Sequence, residues 1–175
     1  EDLEDKGYFL SSANSINWGR VLPQIVYYIS AYCDLLEDGK IALGDKIDFC
    51  VPTGNFGNIL AGYYAKHMGL PVGTLVCASN ANNVLTDFLS TGTYDRNRPF
   101  YQTASPSMDI LISSNLERLL ALMEGAGESV ANYMNELAAR GKYTVRPETA
   151  QKIAAEFACG FCDDEGTKQT IAKLF

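Results

Sequence analysis

A strand, a glycine-containing turn, a helix and a second strand follow one another within about 33 residues, and this succession constrains the fold more than any other feature. Residues 46–51 and 74–78 have the composition of short buried strands. A helix is predicted between them, from about residue 58 to residue 68. A unit of this size and order joins two parallel strands through a right-handed crossover. The sequence therefore predicts an α/β fold.

The remaining pattern predicts more helix than strand. Apolar residues at helical spacing indicate a long helix over residues 16–36, with Asn14 or Ser15 as its cap and Pro23 early within it. Ser114 and Glu117 fit a capping box that opens a helix at about Leu116. Further helices are predicted over 83–89, 128–140, 147–157 and 167–175, a brief strand over 143–145 and a long ordered loop over 94–107.

Composition narrows the function classes. The 175 residues include 14 Lys and Arg against 21 Asp and Glu, a net charge of −7, and no basic run is present. This balance argues against a nucleic-acid partner, which needs clustered positive charge. The longest apolar stretch, residues 21–36, is interrupted by polar residues and too short to span a membrane. With 47% hydrophobic residues the chain has the composition of a globular protein.

The first residues and the cysteines indicate a cytoplasmic protein. The acidic opening segment, residues 1–5, is the opposite of a positively charged secretory leader. Five cysteines, an odd number without regular spacing, are typical of a reducing compartment. Because the first residue is Glu1 and not methionine, we expect the chain to be an excised piece of a longer one.

The turn between the first predicted strand and helix is a candidate anion site. Backbone N–H groups at a helix start lack partners, and the helix dipole favours an anion there. Gly54 and Gly57 would let the backbone approach a phosphate, and Asn55 and Asn58 would add donors. The spacing is not that of a nucleotide P-loop or a dinucleotide fingerprint. Glycines that merely relieve strain in a tight turn explain this pattern equally well.

Three segments of the chain closely resemble threonine synthase. They are residues 11–20 (SSANSINWGR), residues 51–58 (VPTGNFGN) and residues 105–110 (SPSMDI), in the order and at about the spacing of that family. The resemblance extends from residue 10 to residue 175. Three long matches together are far more specific than any one of them.

The resemblance implies a fold-type-II pyridoxal-phosphate enzyme that converts O-phosphohomoserine and water into threonine and phosphate. It implies a three-layer open sheet with flanking helices, part of the large domain of such an enzyme. In the family the glycine–asparagine loop holds the phosphate of the cofactor. Carried over by position, the cofactor-binding residues are Gly54, Asn55, Phe56, Gly57 and Asn58.

Two departures from the family imply an inactive internal fragment. The family attaches its cofactor to a lysine in a Ser-Phe-Lys-Asp type segment upstream, and none of the eight lysines here has that context. The family's downstream segment, with its Pro-His-Thr signature and the group that faces the pyridine nitrogen, is also missing. We therefore expect residues 1–175 to be one α/β fragment that carries the phosphate loop without catalytic residues of its own.

A second, weaker set of candidates would line the substrate side of the cleft. These residues are Ser12, Asn14, Ser15, Asn17 and Arg20. For each of them singly, a capped helix start is the commoner explanation. Arg96 and Arg98 could bind a substrate phosphate, although a solvated loop charge is the commoner meaning.

Two functions of other classes remain open from the residues. One is a non-catalytic module that binds a phosphorylated metabolite at residues 54–58. The other is a redox or zinc protein that uses Cys159 and Cys162, whose spacing suits both. A zinc site would need a second pair of ligands, and a thioredoxin-like motif should follow a strand, whereas this one follows a predicted helix. We expect no metal, and we expect the single histidine, His67, to be structural.

Overall fold

The computed structural model describes residues 3–9, 14, 17–125 and 127–175. Within these ranges the helices are α1 (Trp18–Val21), α2 (Ile25–Glu37), α3 (Gly57–His67), α4 (Val84–Thr91), α5 (Leu116–Glu124), α6 (Glu128–Arg140), α7 (Pro147–Glu156) and α8 (Asp164–Leu174). The strands are β1 (Ile47–Pro52), β2 (Val72–Ser79), β3 (Thr93–Asp95), β4 (Lys142–Thr144) and β5 (Phe157–Phe161). Short 3₁₀ turns occur at Glu4–Lys6, Leu22–Gln24 and Pro106–Met108. In the described ranges, no helix combines the length and hydrophobicity needed to cross a bilayer.

A parallel sheet in the order β1-β2-β5 forms the centre of the fold. β1, α3 and β2 are the predicted crossover unit, and Val51 of β1 pairs with Cys77 of β2. β5 adds to the other edge of β2 in parallel, with Leu75 opposite Phe157. β3 and β4 pair antiparallel in a separate ribbon. The prediction of an α/β fold with a parallel sheet and flanking helices is confirmed.

The predicted helix over residues 16–36 is wrong in its continuity and in its cap. A 3₁₀ turn at Leu22–Gln24 separates α1 from α2, because Pro23 cannot donate the backbone hydrogen bond that a continuous helix requires there. The cap of α1 is Asn17, whose Oδ1 accepts from the N–H of Gly19 at 2.9 Å. Asn14 does not cap it, and Ser15 lies outside the described residues.

Two strands and one cap were not foreseen correctly. β5 begins where the predicted helix over 147–157 ends, and β3 overlaps the start of the predicted loop over 94–107. Both are short, and their pairing partners are distant in sequence, so local periodicity carried little signal. The capping box at Ser114 is also wrong: Asn115 occupies the cap of α5 without a side-chain cap bond, and the hydroxyl of Ser114 contacts Asn55.

Helices α2 and α3 approach each other so closely that only a glycine fits between them. Gly62 of α3 faces the ring of Tyr28, and a Cβ there would lie 2.6 Å from that ring. The Tyr28 ring also packs edge-to-face on Phe49 of β1, at 4.8 Å between centroids. This contact fixes α2 against the first crossover unit. On β1, Asp48, Cys50 and Pro52 are exposed, so the described chain leaves that face of the strand uncovered.

We predict that Gly62→Ala destabilises the protein, although alanine is the better helix former by about 1 kcal/mol. The added methyl group must displace the Tyr28 ring, and overpacking of this kind costs about 1–3 kcal/mol. Urea unfolding measures the effect. Gly160→Ala is the control, because a Cβ at Gly160 meets nothing within 4 Å. Equal stability of both variants with the wild type would contradict the proposed packing.

Glu124 connects the three helices α5, α6 and α7 through one buried carboxylate. It accepts hydrogen bonds from Tyr133 at 3.0 Å, Thr149 at 2.6 Å and Arg146 at 2.8 Å. Burial by itself would raise the pKa of Glu124, but hydrogen bonds from Thr149, Tyr133 and Arg146 outweigh it, and the pKa is lowered. The folded protein therefore favours the ionised carboxylate.

A lowered carboxyl pKa stabilises the fold above the ordinary value of 4.5, and this stability is lost as the pH falls below it. We predict that Glu124→Gln costs about 1–2 kcal/mol of unfolding free energy at pH 7 and flattens the loss of stability in acid. Denaturant unfolding at a series of pH values tests this. The exposed Glu148→Gln is the control; an unchanged acid profile in Glu124→Gln would contradict the assignment.

Candidate functional site

The turn from β1 into α3 has a strained backbone at its centre. Phe56, which precedes α3, has φ of 62°, a left-handed value that side-chain-bearing residues rarely adopt. Its side chain is almost fully buried, and its ring packs against Phe157 of β5 at 5.6 Å between centroids. Packing therefore holds the turn in a conformation that the local sequence alone would not favour.

The carbonyl groups of Gly54 and Asn55 accept hydrogen bonds from the body of the protein, whereas the N–H groups of the turn donate to no group in the described residues. Ser113 donates to the carbonyl of Gly54 at 2.9 Å, and Asn115 donates to the carbonyl of Asn55 at 3.0 Å. In the described part of the chain, no acceptor takes the N–H groups of residues 54–58. These N–H groups coincide with the positive end of the α3 dipole, an arrangement that favours an anion.

The two asparagines of the turn also present donors. The Oδ1 atom of Asn58 accepts from the hydroxyl of Tyr28 at 2.7 Å, and the same hydroxyl contacts the Asn58 carbonyl at 2.9 Å. Burial raises the pKa of Tyr28, so its hydroxyl stays protonated. The Oδ1 atom of Asn55 faces the N–H and hydroxyl of Ser114, at 3.5 and 3.4 Å. Within the described residues, neither asparagine donates a hydrogen bond through its side-chain nitrogen.

Position 54 requires a glycine because the segment with the third matched motif, residues 105–110, lies very close to it. A Cβ on Gly54 would lie 3.2 Å from the Ser107 carbonyl oxygen and 3.2 Å from the Met108 Cα atom. Both are backbone atoms, which cannot rotate away. A residue with a side chain at this position would therefore displace either the turn or residues 107–108.

Asp109 holds that segment in place, a role that the sequence did not indicate. Its carboxylate accepts from Asn80 at 2.7 Å, from Asn82 at 3.0 Å and from the N–H and hydroxyl of Thr103 at 2.9 and 2.7 Å. These hydrogen bonds, that of the Thr103 N–H above all, lower the pKa of Asp109. Asn80 and Asn82, which follow β2, both donate to this carboxylate.

A cavity of about 340 Å³ opens onto the turn. That volume is within the range typical of small-molecule sites. The described residues that line it are Asn14, Arg20, Gln24, Pro52, Thr53, Gly54, Asn55, Phe56, Gly57 and Asn58. No lysine, aspartate or glutamate is among them.

The cavity brings together some of the sequence candidates. All five residues of the predicted loop line it, as do Asn14 and Arg20, whereas Asn17 caps α1. Ser12 and Ser15 lie outside the described residues. Gln24 was missed, because it lies beyond the matched segment and its placement depends on the turn at Pro23.

The remaining candidates have contacts of their own. His67 packs on Tyr63 at 4.3 Å between ring centroids, and Arg98 forms an ion pair with Asp87 at 2.7 Å. Cys159 lies within β5, which begins directly after α7, so the motif comes after a helix as predicted but starts inside a strand. The Cys159 thiol is 3.2 Å from the hydroxyl of Ser90. Among the described residues, no three His, Cys, Asp or Glu side chains form a metal-ligand group.

No family model matches the chain. Among curated proteins, threonine synthase of Saccharomyces cerevisiae is 42% identical over 176 residues, which cover 95% of this chain and 34% of that protein. Threonine synthase-like 1 of Homo sapiens is 51% identical over 160 residues, covering 90% and 22% respectively. Among solved structures, the PLP-bound threonine synthase from Brucella melitensis has a TM-score of 0.87 at 43% identity, covering 94% of this chain and 34% of that one.

The comparisons show how much of this chain and how much of its relatives are similar. The chain matches threonine synthases over nearly its whole length, but spans about a third of their own length. They favour neither a stand-alone binding module nor a redox or zinc protein.

We predict that Gly54→Ala impairs anion binding at the turn. The methyl group would press on the backbone of residues 107–108 and shift the N–H groups of residues 54–58. We expect the dissociation constant of inorganic phosphate, measured by NMR titration, to rise at least fivefold, and stability to fall by about 1–3 kcal/mol. Gly127→Ala, at a position where a Cβ meets nothing within 4 Å, is the control. If Gly54→Ala bound phosphate as tightly as the wild type, the close contact between Gly54 and residues 107–108 would not be needed for anion binding.

Proposed function

We propose that this chain, a member of the threonine synthase family that spans about a third of its relatives' length, holds the phosphate of pyridoxal phosphate at residues 54–58. The observation that carries the proposal is the set of N–H groups at residues 54–58 without an acceptor in the described chain. A dianionic phosphate would satisfy several of them at once, with charge-assisted hydrogen bonds.

The residues present fit such a group. The turn combines backbone amides that have no acceptor among the described residues, the start of an 11-residue helix and two asparagine NH₂ groups. No carboxylate lines the described part of the cavity to repel a phosphate. Binding at this turn would involve Gly54, Asn55, Phe56, Gly57 and Asn58.

These contacts indicate which role each residue of this chain would have in the longer enzyme. Pyridoxal phosphate, when bound, supplies an electron sink for carbanion chemistry. Residues 54–58 bind and orient its phosphate, while Tyr28, Ser113 and Asn115 hold those residues in position. Asn14 and Arg20 line the same cavity and would contact substrate, with Ser12, Ser15 and Asn17 as further candidates from the sequence.

The activity of the longer protein would be that of its relatives, a lyase reaction that converts O-phosphohomoserine and water into threonine and phosphate. We propose that residues 1–175 do not catalyse it alone. Lys66 bonds to Glu156 at 2.8 Å and Lys152 to the Met123 carbonyl at 3.0 Å, and no lysine is among the described residues that line the cavity. A lysine from elsewhere in the longer chain must then hold the cofactor.

The net charge supports a proposal for the binding partner, and the cysteines support one for the cellular compartment. A net charge of −7 disfavours nucleic acid, and the partner is a small anionic molecule. The five cysteines are unpaired in the structure, which suits the reducing cytoplasm.

We predict that inorganic phosphate or pyridoxal phosphate, added to the isolated chain, shifts the NMR signals of the amides of residues 54–58. Each charge-assisted hydrogen bond contributes about 1.5–3 kcal/mol against an association cost of about 4–15 kcal/mol, so we expect a dissociation constant on the order of millimolar. Gly57→Val should abolish the shifts, because a β-branched residue blocks the approach to the turn. The exposed His67→Ala should not. Shifts confined to other amides would place the anion elsewhere and overturn the proposal.

A further inference from the structure

A second cavity, of about 270 Å³, is lined by the β3–β4 ribbon, by helices α5 and α6 and by the loop before α5. It shares no described lining residue with the cavity at residues 54–58. Much of its lining is apolar, from Ile112, Leu116, Met134 and Leu137. An apolar cavity of about 150 Å³ can hold benzene, so this one has room for a small molecule with an apolar body.

Tyr143 brings a buried phenol hydroxyl to this cavity. Tyr143 is 2% exposed, and its ring stacks on those of Tyr94 and Tyr133, at 5.5 and 5.4 Å between centroids. The Tyr94 hydroxyl donates to the Leu111 carbonyl at 3.0 Å. The Tyr143 hydroxyl, by contrast, forms no hydrogen bond to any part of the chain that the structure describes. Because buried polar groups are almost always paired, and a phenol oxygen accepts from N–H donors, a ligand with such a donor fits here.

Glu117 gives the cavity a negative charge. It lies in the first turn of α5 and is exposed, and among the described residues its carboxylate forms neither an ion pair nor a hydrogen bond. Burial above all, and with it Tyr94 and the Glu117 carboxylate, raises the pKa of Tyr143, so the phenol stays neutral beside that carboxylate. The described lining contains no lysine, arginine or histidine that could neutralise Glu117. The charge that complements this cavity is therefore positive.

We infer that this cavity is a binding site for a small primary amine with an apolar body. The ammonium group donates to the exposed Glu117 carboxylate and to the buried oxygen of Tyr143. The apolar body lies among Leu116, Met134 and Leu137, where it is removed from water. Small acids are disfavoured, because their carboxylate would face that of Glu117. Since the two cavities share no described residue, the inference does not rest on the proposed function.

The experiment titrates the chain at pH 7 with three ligands of similar shape and different charge: phenethylamine, phenethyl alcohol and phenylacetate. The NMR signals of the amides of Ser113, Ser114 and Glu117, which line the cavity, report binding. We expect phenethylamine to bind about fivefold more tightly than phenethyl alcohol, and phenylacetate to bind most weakly.

Two variants separate the charge from the phenol. Glu117→Gln should remove the preference for the amine and leave the affinity for phenethyl alcohol unchanged. Tyr143→Phe, which keeps the stacked ring, should weaken phenethylamine about threefold, because one acceptor is lost. Glu148→Gln is the matched control, since Glu148 is an exposed glutamate in the first turn of α7.

A preference for the amine that is lost in Glu117→Gln and kept in Glu148→Gln supports the inference. Equal affinities for phenethylamine and phenethyl alcohol in the wild type, or tighter binding of phenylacetate, overturn it. Equal weakening of both ligands by Glu117→Gln assigns Glu117 a structural role and overturns it as well. If the amides of Ser113, Ser114 and Glu117 do not shift, the inference fails, whether or not phosphate binds at residues 54–58.

Discussion

The candidate site depends on how the backbone is oriented between β1 and α3. We call this orientation, with carbonyl oxygens towards the protein and N–H groups towards the cavity, the inversion of the turn. Ser113 and Asn115 bind the carbonyls of Gly54 and Asn55, so these oxygens face the protein, while the N–H groups of the turn have no acceptor among the described residues. An ordinary loop would satisfy both kinds of group with water or with its neighbours. Because the carbonyls are already bound, the proposed anion would not require the N–H groups to reorganise.

Three further contacts keep this inversion in place, and each comes from a different part of the fold. Tyr28 of α2 binds Asn58, and its close packing on Gly62 fixes the distance between α2 and α3. Phe56 keeps its left-handed backbone because its ring is buried against β5. Asp109 holds the segment that presses on Gly54. The turn is therefore supported by tertiary packing and not by its own sequence.

The sequence predicted what depends on local pattern and missed what depends on packing. The β1–α3–β2 crossover and the bounds of α6, residues 128–140, followed from periodicity and turn residues. β5 was missed, because an apolar run directly after a helix resembles a continuation of that helix. Gln24 and Asp109 could not be found, since a buried unpaired oxygen and a carboxylate network exist only once distant segments meet. The motif at residues 54–58 indicated an anion site but left strain relief equally possible.

A crystal structure of the chain soaked in inorganic phosphate tests the inversion of the turn most directly. We predict a phosphate whose oxygens lie about 2.7–3.2 Å from at least three N–H groups of residues 54–58, with the Gly54 and Asn55 carbonyls still bound to Ser113 and Asn115. A turn whose N–H groups are satisfied by other parts of the chain, with phosphate bound elsewhere, would contradict this arrangement.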